Sequence, residues 1–223
     1  SVEQREHPEL RGRAIVVGGD GPRGVVSTAS YEARRFGIHS AMAMYRARKL
    51  CPQLIIVRPH FSFYREVSHQ IQDIFREYTD TIEPLSIDEA FLDVTYNEGG
   101  IERAEELAVE IKRKIRERTQ LTASAGVSYN KFLAKIASDY RKPDGLFTIS
   151  EAQSLGFIDR LPIGKFWGVG PKTAERMHRM GIFTGAQLRE VPQSHLQEVF
   201  GKAGNVYYNF ARGIDLRPVV TEH

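Results

Sequence analysis

Residues 84–95, PLSIDEAFLDVT, set two carboxylates side by side, Asp88 and Glu89, between runs that otherwise read as buried strand. Two unit charges of like sign about 4 Å apart repel by roughly 4 kcal/mol at an effective dielectric of 20. In a continuous strand neighbouring side chains point to opposite faces. Two apolar strands joined through this pair must therefore turn there, TIEPLSI against AFLDVT with only Asp88 and Glu89 between them. The tip needs a positive charge to face. Solvent or a nearby arginine would suffice, and so would a divalent cation. Hard carboxylate oxygens suit Mg²⁺, which keeps water ligands and shares its shell with substrate phosphates.

The flanks of this hairpin narrow the fold class further. Before it, Tyr64, Val67, Ile71, Ile74, Phe75 and Tyr78 recur at helical spacing. After it, Ile101, Ala104, Leu107, Ala108, Ile111 and Ile115 mark a long amphipathic helix. LTASAGVSY reads as a buried strand, Asn130 caps a helix that stops before Pro143, and LFTI is a last short strand. The order helix, strand, strand, helix, strand is that of an α+β, ferredoxin-like βαββαβ unit lacking its first strand. The opening residues, SVEQREHPEL, read as the tail of a helix already under way, so residues are expected in front of Ser1.

Upstream, RAIVVGG and GVVSTAS read as strands, and LIIVRP as a third. Ser30 is placed to cap a short helix that Gly37 closes, and Ser40–Pro52 repeats that scheme. These elements suggest a small subdomain. Residues 11–50 hold eight basic side chains against two acidic ones, which fits either a solvated face or an anionic partner. After Ile149 the chain reads as wholly helical, with glycine hairpins at Gly168–Gly170 and Gly201–Gly204. No run of eighteen apolar residues exists, so no membrane span is expected. The single cysteine, Cys51, forbids a disulfide within the chain and fits a cytoplasmic location. The seven histidines show no metal-ligand spacing, and neither a Walker loop nor a GxSxG elbow occurs.

Three further stretches carry groups suited to phosphate. Thr28, Tyr31 and Arg34 follow a strand, the last two on one face of a helical turn. Arg matches phosphate oxygens in bidentate fashion, although surface helices carry such trios as well. Lys142 sits at a helix end beside Pro143, where it either reaches a phosphate or complements the helix C-terminus. In GVGPKTAERM, Gly168 and Gly170 form a hairpin with exposed N–H groups, and Pro171 opens a helix whose N-terminus favours an anion. Lys172 and Thr173 add a charge and a donor, a set that suits a nucleic-acid backbone. A plain helix–turn–helix corner is the other reading of that stretch.

In this order the stretches resemble the motifs of the Y-family translesion DNA polymerases, closest to the bacterial polymerase IV branch, over essentially the whole chain. SIDEAFLDVT is similar to the family's palm motif with its two metal-binding acids, and STASYEARRFGI to its fingers motif. ASAGVSYNKFLAKIASDYRKPDG resembles its second palm motif, and LPIGKFWGVGPKTAERM the helix–hairpin–helix of its thumb. The resemblance implies fingers at 11–62, palm at 63–149 and thumb at 150–223, with residues 1–10 opening the palm and fingers and no little finger. It implies that Asp88 bridges two Mg²⁺ ions and that Glu89 ligates the catalytic one. Thr28, Tyr31, Arg34 and Lys142 would hold the dNTP triphosphate. Gly168, Gly170, Lys172 and Thr173 would hold the backbone of primer–template DNA. A monomer that meets a sliding clamp through parts beyond this chain completes the expectation.

Two departures accompany the resemblance. The family's first strand, with a further metal-binding Asp, has no counterpart here, so the chain by itself is expected to be nearly inactive. The small residues Val25, Val26 and Ser27 before Thr28 suggest a roomy roof over the nascent base pair, hence lesion tolerance and low fidelity. A nucleotidyl cyclase shares such a palm but has no duplex for a glycine-hairpin thumb to grip. A catalytically inactive DNA-binding relative would have no need to keep both Asp88 and Glu89.

Overall fold

The computed structural model describes residues 1–221. The chain divides into two compact units, residues 1–70 with 119–121, and residues 71–118 with 122–221 of the described chain.

The first unit begins with helix α1 (Val2–Glu6) and a 3₁₀ turn at Pro8–Leu10. Strands β1 (Ile15–Gly18), β2 (Val26–Ala29) and β3 (Ile55–Val57) form one sheet in the order β2-β1-β3, antiparallel on one side of β1 and parallel on the other. Helices α2 (Tyr31–Arg34) and α3 (Met44–Leu50) lie between β2 and β3 in the chain. Val16, Val26, Ala33, Ile38, Met44, Ala47 and Cys51 pack together as the core. Ser30 caps α2 as expected, accepting from the Ala33 N–H at 3.2 Å, and Gly37 has φ +84°. Ser40 does not cap α3. Its hydroxyl donates to the Ser27 carbonyl at 2.8 Å, and the helix starts only at Met44. The intervening residues are held by β2 instead, since Ala41 donates to the Val26 carbonyl and Val26 to that of Met42.

Helix α4 (Phe61–Arg76) starts in the first unit and ends in the second. The second unit continues with β4 (Ile82–Pro84), β5 (Ala90–Leu92), α5 (Gly100–Thr119), β6 (Ala125–Ser128), α6 (Lys131–Tyr140) and β7 (Leu146–Ile149). This is the expected order, but the strands form two separate pairs. β4 and β5 pair antiparallel, β6 and β7 pair parallel, and no ladder joins the pairs among the described residues. Asn130 caps α6, accepting from the Leu133 N–H at 2.9 Å. Gly126 on β6 lies against α6 so closely that a Cβ there would sit 2.2 Å from the Ala134 carbonyl oxygen.

Beyond β7 the elements among the described residues are helices: α7 (Glu151–Arg160), α8 (Pro171–Arg179), α9 (Gly185–Glu190), α10 (Gln193–Phe200) and α11 (Lys202–Phe210), with a 3₁₀ turn at Ile163–Lys165. One continuous core joins α6 to these helices, from Phe132 and Ile136 through Ile158, Phe166 and Met177 to Phe210. Phe132 stacks on Phe210 with centroids 3.9 Å apart. A buried aromatic pair is worth more than the area it removes from water. Asp215 locks the same corner, accepting from the Phe132 N–H at 3.0 Å and from Arg217 through both of its oxygens at 2.8 Å. No helix is long and apolar enough to cross a membrane among the described residues.

Candidate functional site

The hairpin at the acid pair has a longer tip than two residues. β4 ends at Pro84 and β5 begins at Ala90, which leaves Leu85–Glu89 as the loop. Proline at the strand end offers no N–H to the ladder, and the Leu85 and Ser86 N–H groups both turn inward to the Glu89 carbonyl, at 2.8 and 3.2 Å. The two carboxylates therefore sit at one end of a closed loop with different surroundings. Asp88 is exposed and accepts from the Ser86 hydroxyl at 2.7 Å. Glu89 is half-buried, and its Oε1 accepts from Lys135 Nζ on α6 at 2.9 Å.

That lysine is one positive charge the acid pair faces, and the sequence reading did not single it out. Lys135 also reaches Asp139 at 3.3 Å, and Asp139 reaches Lys142 at 2.8 Å. The result is an ordered row of four charges, Glu89, Lys135, Asp139, Lys142. Burial alone would lower the Lys135 pKa, but the hydrogen bond to Glu89 and the charges of Asp139 and Glu89 outweigh it and raise it. Burial likewise favours a neutral Asp139, yet the bond from Lys142 and the charge of Lys135 hold its carboxyl below the ordinary range. A signal for this row was present in the sequence. Lys135 and Asp139 are four apart and Asp139 and Lys142 three apart, so all three share one side of α6 and its end.

In the first unit the expected phosphate-binding turn is built around Ser30. Its hydroxyl receives the Ile15 and Ala33 N–H groups and donates to the Arg13 carbonyl, tying the start of α2 to β1. Arg34 lies with its guanidinium 4.6 Å over the Tyr31 ring and donates through Nε to the Ala29 carbonyl at 3.0 Å. Stacking and this bond fix the guanidinium plane, and leave its terminal nitrogens as the groups suited to a fork of oxygens. Thr28 pairs with Val17 in the sheet and its side chain is exposed. The residues proposed for a triphosphate are thus divided, Thr28, Tyr31 and Arg34 in one unit and Lys142 in the other.

The roof expected from Val25, Val26 and Ser27 needs correction. Val26 turns into the core, where it is 1% exposed, while Val25 and Ser27 are exposed.

The glycine hairpin lies where the sequence placed it. Gly168 has φ +86°, a conformation that favours glycine, and Gly170 is the N-cap residue of α8 with Pro171 at the first helical position. Not all of its N–H groups face outward, since that of Val169 donates to the Phe166 carbonyl at 3.0 Å and Val169 is buried. The first N–H groups of a helix have no intrahelical partner, and in α8 these are the groups of Lys172 and Thr173. Lys172 is exposed and Thr173 half-buried.

The donor set suits a hard cation: two carboxylates, one open to solvent and one held by a lysine that a cation can displace. No third His, Cys, Asp or Glu joins them as a cluster among the described residues. An ion there would complete its shell with water and substrate oxygens, the habit of Mg²⁺ rather than of Zn²⁺ or Ca²⁺.

Comparison with known proteins supports the motif reading. The impB/mucB/samB family model matches residues 1–139, and the thumb domain of DNA polymerase-iota matches residues 164–215. A DNA polymerase IV of Bacteroides fragilis is 62% identical over 219 residues, which is 98% of this chain and 60% of the relative. One from Akkermansia muciniphila is 60% identical over 98% of this chain and 61% of its own length. Among solved structures, DinB from Sulfolobus solfataricus matches with a TM-score of 0.92 and 35% identity, over 98% of this chain and 65% of that one. An insertion ternary complex of Dbh DNA polymerase matches with a TM-score of 0.90 and 34% identity, over the same shares. The chain spans about three fifths of the length of the two bacterial relatives. With the hairpin acids, the lysine row, the capped Tyr31–Arg34 turn and the glycine hairpin all in place, the chain belongs to the impB/mucB/samB family, on the bacterial DNA polymerase IV branch of the Y-family polymerases.

Proposed function

We propose that this chain carries the palm, fingers and thumb of a template-directed DNA polymerase of the translesion type, which joins a dNTP to a primer 3′-hydroxyl with low fidelity. The single observation that carries the reading is the charge row of the second unit. It has a carboxylate suited to Mg²⁺ at one end and an ordered lysine suited to phosphate at the other.

In this reading Asp88 and Glu89 hold two Mg²⁺ ions. When bound, such ions lower the pKa of the attacking hydroxyl and steady the charge of the leaving pyrophosphate. Lys142 and Arg34 bind phosphate oxygens of the nucleotide, Arg34 as a fork with its plane set by Tyr31, and Thr28 adds a hydroxyl. The N-terminus of α8, with Gly168, Gly170, Lys172 and Thr173, takes a DNA backbone phosphate without reading sequence. Val25 and Ser27 line the roof over the nascent pair. We assign the fingers to residues 11–62, the palm to 63–149 and the thumb to 150–223. The whole protein is read as a cytoplasmic monomer that meets a sliding clamp. The matched Dbh DNA polymerase structure is an insertion ternary complex, which supports DNA and nucleotide as ligands.

The test is primer extension by the full-length protein in Mg²⁺. Asp88→Asn and Glu89→Gln each abolish extension while binding of primer–template DNA persists. Normal elongation by the variant carrying both amides would overturn the assignment.

A further inference from the structure

Of the four charges in the row, the outer two have roles in the proposed reaction and the inner two have none. The geometry shows what the inner two can do. Lys135 is shared between two carboxylates, Glu89 at 2.9 Å and Asp139 at 3.3 Å. Asp139 is shared between two ammonium groups, Lys135 through Oδ2 and Lys142 through Oδ1 at 2.8 Å. Two acids and two lysines make the row neutral as it stands. Lys135 is mostly buried, whereas Glu89, Asp139 and Lys142 are partly open to solvent, so Lys135 is the most desolvated charge of the row.

We propose that Lys135 and Asp139 are positioning residues that couple cation uptake at Glu89 to the release of Lys142 for phosphate. The proposal rests on the reading of Glu89 and Lys142 given above. A divalent cation at Glu89 competes for the carboxylate and repels the Lys135 ammonium. Asp139, already within reach, is the partner left to Lys135. Both side chains stand on α6 four residues apart, so the shift needs rotation of the lysine stem and no movement of the backbone. Asp139 drawn to Lys135 is a weaker partner for Lys142. The coupling is reciprocal, as any linkage of binding must be: a phosphate that takes Lys142 returns Asp139 to Lys135 and loosens Glu89 for the cation. A cation alone or an anion alone leaves its charge uncompensated beside the row, whereas the two together offset one another. The site therefore selects a metal–polyphosphate pair over either component.

The probe is Mg²⁺ itself, without nucleotide, added to the full-length protein bound to primer–template DNA. Acetylation of Lys142 is followed by peptide mass. Mg²⁺ raises its labelling rate about two- to fivefold, the scale of restraint that a half-exposed ion pair imposes, while Lys114, paired with Glu77 elsewhere, is unchanged. Asp139→Asn labels Lys142 at the raised rate with and without Mg²⁺. A wild-type rate that ignores Mg²⁺, or an Asp139→Asn protein that still responds to it, overturns the coupling. Extension by Asp88→Asn separates the two readings. If that variant is inactive and Lys142 ignores Mg²⁺, only the coupling fails; if it extends primers normally, the polymerase reading fails first.

Discussion

Replacing Gly126 by alanine should displace α6 and carry the charge row with it. Strand β6 and helix α6 meet backbone to backbone at this residue. An added Cβ would lie 2.2 Å from the Ala134 carbonyl oxygen, 2.3 Å from the Ser138 nitrogen and 2.8 Å from the Ala137 carbonyl carbon. Ordinary contact begins at 3.4 Å, so about 1.2 Å must be found, and no flexible side chain is there to yield it. The four-residue parallel register with β7 anchors the strand, which leaves the helix to move. A shift of about 1 Å stretches the 2.9 Å bond from Lys135 to Glu89 beyond hydrogen-bonding range. Overpacking of this kind costs about 1–3 kcal/mol, and in a chain of this size each kcal/mol lowers Tm by about 2–4 °C. The assay pairs thermal unfolding with primer-extension kinetics at saturating DNA. Gly126→Ala should lower Tm by several degrees and kcat/KM for dNTP by about tenfold. Gly204→Ala is the control. Its Cβ would meet the Leu196 carbonyl oxygen at 2.1 Å in the α10–α11 hairpin, away from the row, so it should cost similar stability and leave KM for dNTP alone. Equal kinetic losses in both variants would show that activity merely follows stability, and a Gly126→Ala protein with native Tm would refute the packing argument itself.

Other consequences are open to direct measurement. Asp215 is almost fully buried, and although burial favours its neutral form, the bonds from Arg217 and the Phe132 N–H hold its pKa below the ordinary range. Its contribution is therefore present above about pH 4 and is lost progressively as pH falls through the depressed pKa of the folded state; Asp215→Ala should cost about 2–4 kcal/mol in urea unfolding at pH 7, after allowance for the half-exposed Arg217, and the difference from wild type should narrow steadily as pH falls below about 4. In the first unit, burial and the hydrogen bond to Glu3 push the Tyr64 phenol up to about 12. Its contribution is complete below pH 10 and is lost as pH rises toward 12, so Tyr64→Phe should abolish that alkaline fall in stability; an unchanged alkaline limb would count against the Glu3–Tyr64 bond. Val26→Trp should unfold the first unit, because the site is closed core, whereas Val25→Trp should fold and reduce lesion bypass more than undamaged synthesis. Equal loss on both templates would reject the roof.

Much of this was readable locally. The caps at Ser30 and Asn130, the helical stripes of α4 and α5 and the proline start of α8 depend on bonds and periods within a few residues. Sequence reasoning therefore reached them with the right residues. It failed where a neighbour in space displaced a neighbour in sequence. Ser40 looks like a cap, but β2 claims residues 41–43 first. The hairpin tip looks like two residues, but Pro84 ends its strand early and the Leu85 and Ser86 N–H groups close on Glu89. Val26 sits in a run of small residues whose facing depends on register, and a strand's inward side is set by its sheet.

The sequence by itself determined which chemistry is present: paired hard carboxylates at a chain reversal, a stacked arginine turn, a lysine held at a helix end and a glycine-led helix start. These follow from residue type and short spacing. Only the tertiary structure decided what faces Glu89. The partner is Lys135, forty-six positions away, and no local period encodes that meeting. It exists because Gly126 lets α6 lie directly on β6 and because the hairpin presents Glu89 to the helix, a long-range placement that converts four separate charges into one neutral row.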